Sequence, residues 1–284
     1  MELSTATIAA ITLAVLWTLE AIAPGLHGPR ADAAQRLRHV ILGLANAVLA
    51  SAVIALLYFA DAAAREHDFG ILRRSDLSAV LYLALAFLLL DLWQYTSHIM
   101  LHNVPILWRF HTVHHHASRL DATVAMRFHA LEVAVHALLT IPVVVVLGIG
   151  IEAVAIYNLV LLPMSMFHHS NLNIPSGLDR TLRLIIVTPR MHWIHHSRWQ
   201  PETDSNYSAV FSFWDRIFGT MRTREHPELV ELGLDGFTPH QVDTLSGILK
   251  TPFSDSLSGP GRPPRPRERA RPEASGSNRA PVES

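Results

Sequence analysis

Five apolar stretches dictate what this chain can fold into. A bilayer core of ~30 Å takes about 20 mostly apolar residues per spanning helix. The stretch 5–23 meets that length with only Glu20 interrupting it, and 39–60 meets it with no charge between Val40 and Ala60. The stretch 77–90 runs on through Asp91, Leu92 and Trp93. The last two, 132–147 and 152–167, are each short for an independent crossing; Gly148 and Gly150 lie between them, with Pro142 and Pro163 inside. They read either as a helical hairpin that enters and leaves by one face or as an apolar layer buried within the protein. The expectation is an all-α integral membrane protein. The first charge is Glu2 and no basic region precedes the first apolar stretch, so that stretch is expected to be retained as an anchor rather than cleaved as a signal peptide.

Composition narrows the chemistry. Half of the residues are hydrophobic and only 17% are charged, against about 25% in a typical soluble domain. A net charge of −1 gives no electrostatic reason for a nucleic-acid partner. The absence of cysteine excludes disulfides, thiolate metal sites and cysteine nucleophiles.

Histidine is the residue that this oily chain concentrates. Of 18 histidines, 13 fall between His98 and His196. They form three boxes: His98/His102, then His111/His114/His115, then His192/His195/His196. Spacings of three and four place side chains on one helical face. Each ring carries two nitrogens that need partners when buried, so eight such rings make poor packing and a good shell for metal ions such as iron, zinc, copper or nickel. His116 lies about 100° away from its neighbours and is expected outside the shell. At the hairpin entrance His129, Glu132 and His136 share helical spacing; His129 is a candidate ligand and His136 a buried core group. At the hairpin exit His169 is preferred over His168, with Asn171 expected to support it. Pro105 should break the helix between the first two boxes, and Thr188–Pro189 should start the helix of the third. Asp91 and Tyr95 lie on the face of His98 and His102, where they could accept the second ring N–H of a ligand.

These boxes, in this order around these apolar segments, resemble the fatty acid hydroxylase/sterol desaturase superfamily of integral membrane di-iron enzymes. The likeness covers roughly 85–222. It includes Arg127-Phe128-His129-x-x-Glu132, His169-Ser170-Asn171, Asp204-x-Asn206-Tyr207, and the run from Trp214 to Thr220. His116 and Ala130 depart from the residues usual at those places. The resemblance implies a bundle of about four transmembrane helices, hairpin included, under a cytoplasmic helical cap. It implies two metals held by His98, His102, His111, His114, His115, His192, His195 and His196, with His169 and, less directly, His129. It implies O2-dependent hydroxylation or desaturation of a lipid by two iron ions, for which zinc can substitute. No C-x-x-C or G-x-G-x-x-G motif is present, so a separate electron-transfer protein is expected; a pterin-using ether-lipid monooxygenase is a variant of this reading. A histidine-rich metal transporter or sensor and a zinc-dependent membrane hydrolase remain as alternatives.

The expected organisation is an N-terminal transmembrane region (1–84), a hydroxylase-like domain (85–222), a cap extension (223–257) and a disordered Pro/Arg-rich tail (258–284). The basic residues around and after the boxes favour the cytoplasm for the histidine side, with the N-terminus outside.

Overall fold

The computed structural model describes residues 5–254; the tail expectation for 258–284 falls outside them. Helices carry the fold, and strand pairing among the described residues is limited to isolated bridges such as Ile186–Phe211.

Five helices are long and apolar enough to cross a membrane. They are α1 (Thr5–Ile22), α2 (Ala33–Glu66) and α3 (Ala79–Asn103), followed, after the short helix α4 (Pro105–His115), by α5 (Ala130–Leu147) and α6 (Ile151–His169). The resemblance implied about four, and the structure has five of such length. At 1.5 Å per residue, even the 18-residue α5 reaches about 27 Å. Their outward faces are apolar and bare: Val48, Phe59 and Val80 are 75%, 69% and 80% exposed. Water would penalise such faces, whereas hydrocarbon does not.

The chain alternates direction. The ends of α1 and α6 meet, where Gly25 N–H donates to the Asn171 side chain (3.0 Å) and Asn173 N–H to Ala23 O (2.8 Å). The start of α2 meets the loop after α4, with Arg36 Nε on Asp121 (2.7 Å) and Gln35 Nε2 on Arg119 O (2.9 Å). Those contacts, the end of α3 and the start of α5 lie at one end of the bundle, which carries the histidines.

At the opposite end the α5–α6 turn (148–150) packs on the α2–α3 loop. Ile71 and Leu72 N–H donate to Val146 O and Leu147 O, Gly150 N–H donates to Tyr82 Oη (2.6 Å), and Asp61 takes hydrogen bonds from Arg65 (2.9 Å) and Arg73 (2.6 Å). The hairpin therefore reaches as deep as the α2–α3 loop. Gly70 (φ +124°) and Gly148 (φ +73°) permit that approach; a Cβ on Gly70 would collide with Gly148 Cα, and one on Gly148 would sit 2.9 Å from Arg73 N. Gly70→Ala combines that collision with a backbone conformation alanine resists, so a loss of about 2 kcal/mol or more is expected, read as a lower midpoint in a detergent melt.

Helix α3 ends at Asn103, and only Val104 separates it from Pro105, at the expected break. Ser78 caps its start by accepting from Leu81 N–H. A cap of short elements then closes over the histidine end: a 3₁₀ turn at Ala122–Met126, α7 (Ser176–Leu182) and α8 (Pro189–His195). Thr188 caps α8 with Pro189 in its first turn, as expected. Trp193, fully buried, donates Nε1–H to Ser170 O (2.9 Å) and pins α8 onto the exit of α6.

Candidate metal centre

Four helices bring imidazoles to one place. α3 delivers His98 and His102, α4 delivers His111, His114 and His115, α6 delivers His169, and α8 delivers His192, His195, with His196 one residue beyond. They sort into two groups within which the ligand atoms all lie inside 4.8 Å of one another: His98, His102, His111, His115 and His195, and separately His114, His169, His192 and His196.

Each H-x-x-H-H box is divided between the groups. In α4 the i,i+4 pair His111/His115 enters the five-histidine group and His114 the other. In α8 the pair His192/His196 enters the four-histidine group and His195 the other. The doubled histidine is what makes one helix serve two centres, because adjacent residues diverge by about 100°. The groups adjoin: across them the His115 and His196 rings stack at 4.6 Å, and those of His192 and His195 at 5.0 Å.

The donor set fits metal ions. In the four-histidine group the Nε2 atoms of His114 and His169 lie 3.0 Å apart, those of His169 and His192 3.0 Å, and those of His192 and His196 3.1 Å. Nitrogens bonded to one ion at about 2.1 Å fall roughly 3 Å apart. In the five-histidine group the buried Nε2 atoms of His111, His115 and His195 have no hydrogen-bond partner. So many unpaired buried ring nitrogens are costly for packing and expected of a shell for cations.

The outer ring nitrogens are held by acceptors. His98 Nδ1 pairs with Tyr207 O (2.8 Å), His195 Nδ1 with Ser205 O (2.7 Å) and His169 Nδ1 with Ser165 O (2.7 Å). His111 Nδ1 pairs with Glu132 Oε1 (2.7 Å) and His102 Nδ1 with Asp204 Oδ1 (3.4 Å). Such bonds fix the tautomer and aim Nε2 inward. The loop at 204–207 supplies three of these acceptors around Asn206. That residue adopts φ +54°, which asparagine tolerates, and its side chain donates to Met191 O and Arg222 O and accepts from Arg222 N–H.

Several sequence expectations need correction. His129 lies in neither group: it caps α5, its Nδ1 accepting from Leu131 N–H (3.1 Å) and its Nε2 pairing with Leu249 O (3.2 Å). Both nitrogens are spent, so it is placed as a structural cap rather than a ligand. Asp91 touches no histidine; its carboxylate accepts from Tyr157 Oη, Val210 N, Phe211 N and Trp214 Nε1 at 2.9–3.3 Å. Tyr95 pairs with Thr220 Oγ1 (2.8 Å), which donates to Asp215, which in turn accepts from Tyr207 N–H. Both residues hold the loop that holds the ligands, one step further out than expected. Asn171 accepts from Gly25 and Leu26 N–H and ties α1 to α6. His116 pairs with Arg127 (3.0 Å), His136 with Ser97 (3.1 Å), and His168 packs its ring 4.2 Å from His192, all outside the groups. Sequence reading missed the supporting roles of Glu132 and Asp204, although both sit in the motifs it quoted.

Among residues beyond the spans, burial and neighbouring imidazoles hold His114, His115, His192, His195 and His196 well below the usual histidine range. They are neutral donors at pH 7. Because their folded values are depressed, the unfolded chain binds protons that the folded site refuses once the pH falls below about 6.5. The metal-free protein should therefore keep full stability above that pH and lose it steadily from pH 6.5 to 5, as read in thermal melts across that range.

An all-helical bundle that buries two polyhistidine groups at the membrane end of its spans defines an integral membrane protein with a paired histidine centre. Residues 83–220 match the fatty acid hydroxylase family model, and over that segment the chain is similar to this family. Similar proteins include ornithine lipid hydroxylase OlsE of Rhizobium tropici (30% identical; 50% of this chain, 42% of that one). Human alkylglycerol monooxygenase is 31% identical over 57% of this chain and 34% of its own length. Human cholesterol 25-hydroxylase is 29% identical over 49% and 51%. The chain thus spans about half or less of the length of these curated relatives. No solved structure matches it significantly.

Proposed function

We propose that this protein is a membrane-embedded, O2-dependent lipid hydroxylase whose two histidine groups each hold an iron ion. The observation that carries the reading is the convergence of nine imidazoles, eight of them buried, into two adjoining groups at the end of apolar spans, with the Nε2 atoms of His111, His115 and His195 left without a hydrogen-bond partner. Hydroxylation is favoured over desaturation because the relatives above are named hydroxylases or monooxygenases. The two irons would supply reduction of O2 and attack on an unactivated C–H bond.

The chain's own residues would do the rest. His98, His102, His111, His115 and His195 would hold one ion, and His114, His169, His192 and His196 the other. Glu132, Asp204 and the 205–207 carbonyls would keep each ring oriented. The buried cap would exclude water. The bare apolar faces of the spans would let a lipid approach from within the bilayer. Electrons would come from a separate carrier protein. The cytoplasmic side is proposed for the cap, which carries Arg36, Arg38, Arg119, Arg190 and Arg198, against Arg65, Arg73 and Arg74 at the other end.

The test is lipid mass spectrometry on membranes containing the protein, supplied with a reducing system and isotopically labelled O2. A hydroxylated lipid carrying the label is expected. Product formation without O2 would favour a zinc-dependent hydrolase, and metal flux into liposomes without lipid oxidation would favour a transporter.

A further inference from the structure

We propose that the two metal positions are unequal and fill in order, the five-histidine position first and more tightly, because the chain places its supporting acceptors almost entirely there. This rests on reading the two groups as metal sites.

The asymmetry lies in the hydrogen bonds behind the ligands. In the five-histidine group, four rings have an Nδ1 acceptor: His98, His102, His111 and His195. Two of those acceptors are carboxylates, Asp204 and Glu132. Glu132 is 4% exposed and His111 2% exposed, so little solvent screens their 2.7 Å contact. A carboxylate behind an imidazole raises the basicity of the metal-facing nitrogen and adds negative charge near a dication.

The four-histidine group is built differently. His169 alone among its rings has an Nδ1 acceptor, and that is the neutral Ser165 O. The Nδ1 atoms of His114, His192 and His196 are buried without a partner. His114 is oriented instead by stacking on Phe128, with ring centres 4.6 Å apart and planes 8° off parallel. No carboxylate among the described residues pairs with this group. It has one donor fewer and no acidic support, so its ion is held more weakly.

The experiment is a Co²⁺ titration of the metal-stripped full chain in detergent, followed by visible absorption and competition with a chelator. Cobalt in a four-nitrogen tetrahedral site absorbs strongly, and a five-coordinate site weakly. The expected course is a first equivalent bound with weak bands, then a second, at least about tenfold weaker, with intense bands. Glu132→Gln combined with Asp204→Asn should weaken the first step about 10–100-fold and narrow the gap between the steps. His114→Ala should remove the intense second step and leave the first, which also serves as a folded control. A single transition of two equivalents, intense bands in the first step, or carboxylate variants that weaken only the second step would overturn the ordering while leaving a metal centre in place. A protein that binds no Co²⁺ would overturn both the ordering and the metal reading beneath it.

Discussion

Replacing His195 with alanine is expected to abolish lipid hydroxylation, with activity falling at least about 10³-fold, and to leave the five-histidine position depleted of metal. His195 is fully buried, its Nδ1 anchored on Ser205 O and its Nε2 free toward the group. It is also the one ring that α8 contributes there. Its loss removes a donor, and it also removes the link through which α8 and α3 share a centre, since the His195 ring packs 4.6 Å from His98 and 4.8 Å from His102. Metal analysis beside the lipid assay checks this. Wild-type metal content with undiminished product would remove His195 from the site.

Asp91→Leu should have the largest effect on stability. The carboxylate is fully buried on α3, about 16 Å along the helix from His102 at 1.5 Å per residue. Four donors converge on it, three from 210–214 and one from Tyr157. Leucine would leave all four unpaired in an apolar surrounding where Val210, Leu90, Phe87 and Phe211 pack together. Unpaired buried donors cost about 1–3 kcal/mol each, and partial relaxation makes about 4 kcal/mol a reasonable sum. The consequence should reach the metal centre, because Ser205 O and Tyr207 O precede this anchored segment and orient His195 and His98. Thermal melts and metal content should fall together, and Asp91→Asn, which keeps one acceptor oxygen, should lose less of each.

The two residues illustrate what the sequence could and could not disclose. The spans, the break at Pro105 and the Thr188–Pro189 helix start are local properties, set by a run of apolar residues or by one restricted backbone, and all were readable. So was the set of histidines that could share a face. The division of each H-x-x-H-H box between two groups was not, because helical spacing describes one helix and the division depends on what three others present to it. Asp91 and Tyr95 were read as supports for neighbouring histidines on the same helix; their partners include Phe211 and Thr220, more than 100 residues away in the segment that follows the Asn206 loop. His129 carries the same spacing as a ligand, yet its position at a helix start commits it to capping. Glu132 was visible as a motif letter, but its pairing with His111 required the packing of α5 beside α4.

X-ray absorption at the iron edge of the purified, iron-loaded full chain tests the central claim most directly. The account predicts two irons per chain, each in a nitrogen shell with the outer-ring scattering of several imidazoles and without bridging carboxylates. Iron with an oxygen-dominated shell, or a chain that retains no iron, would contradict it.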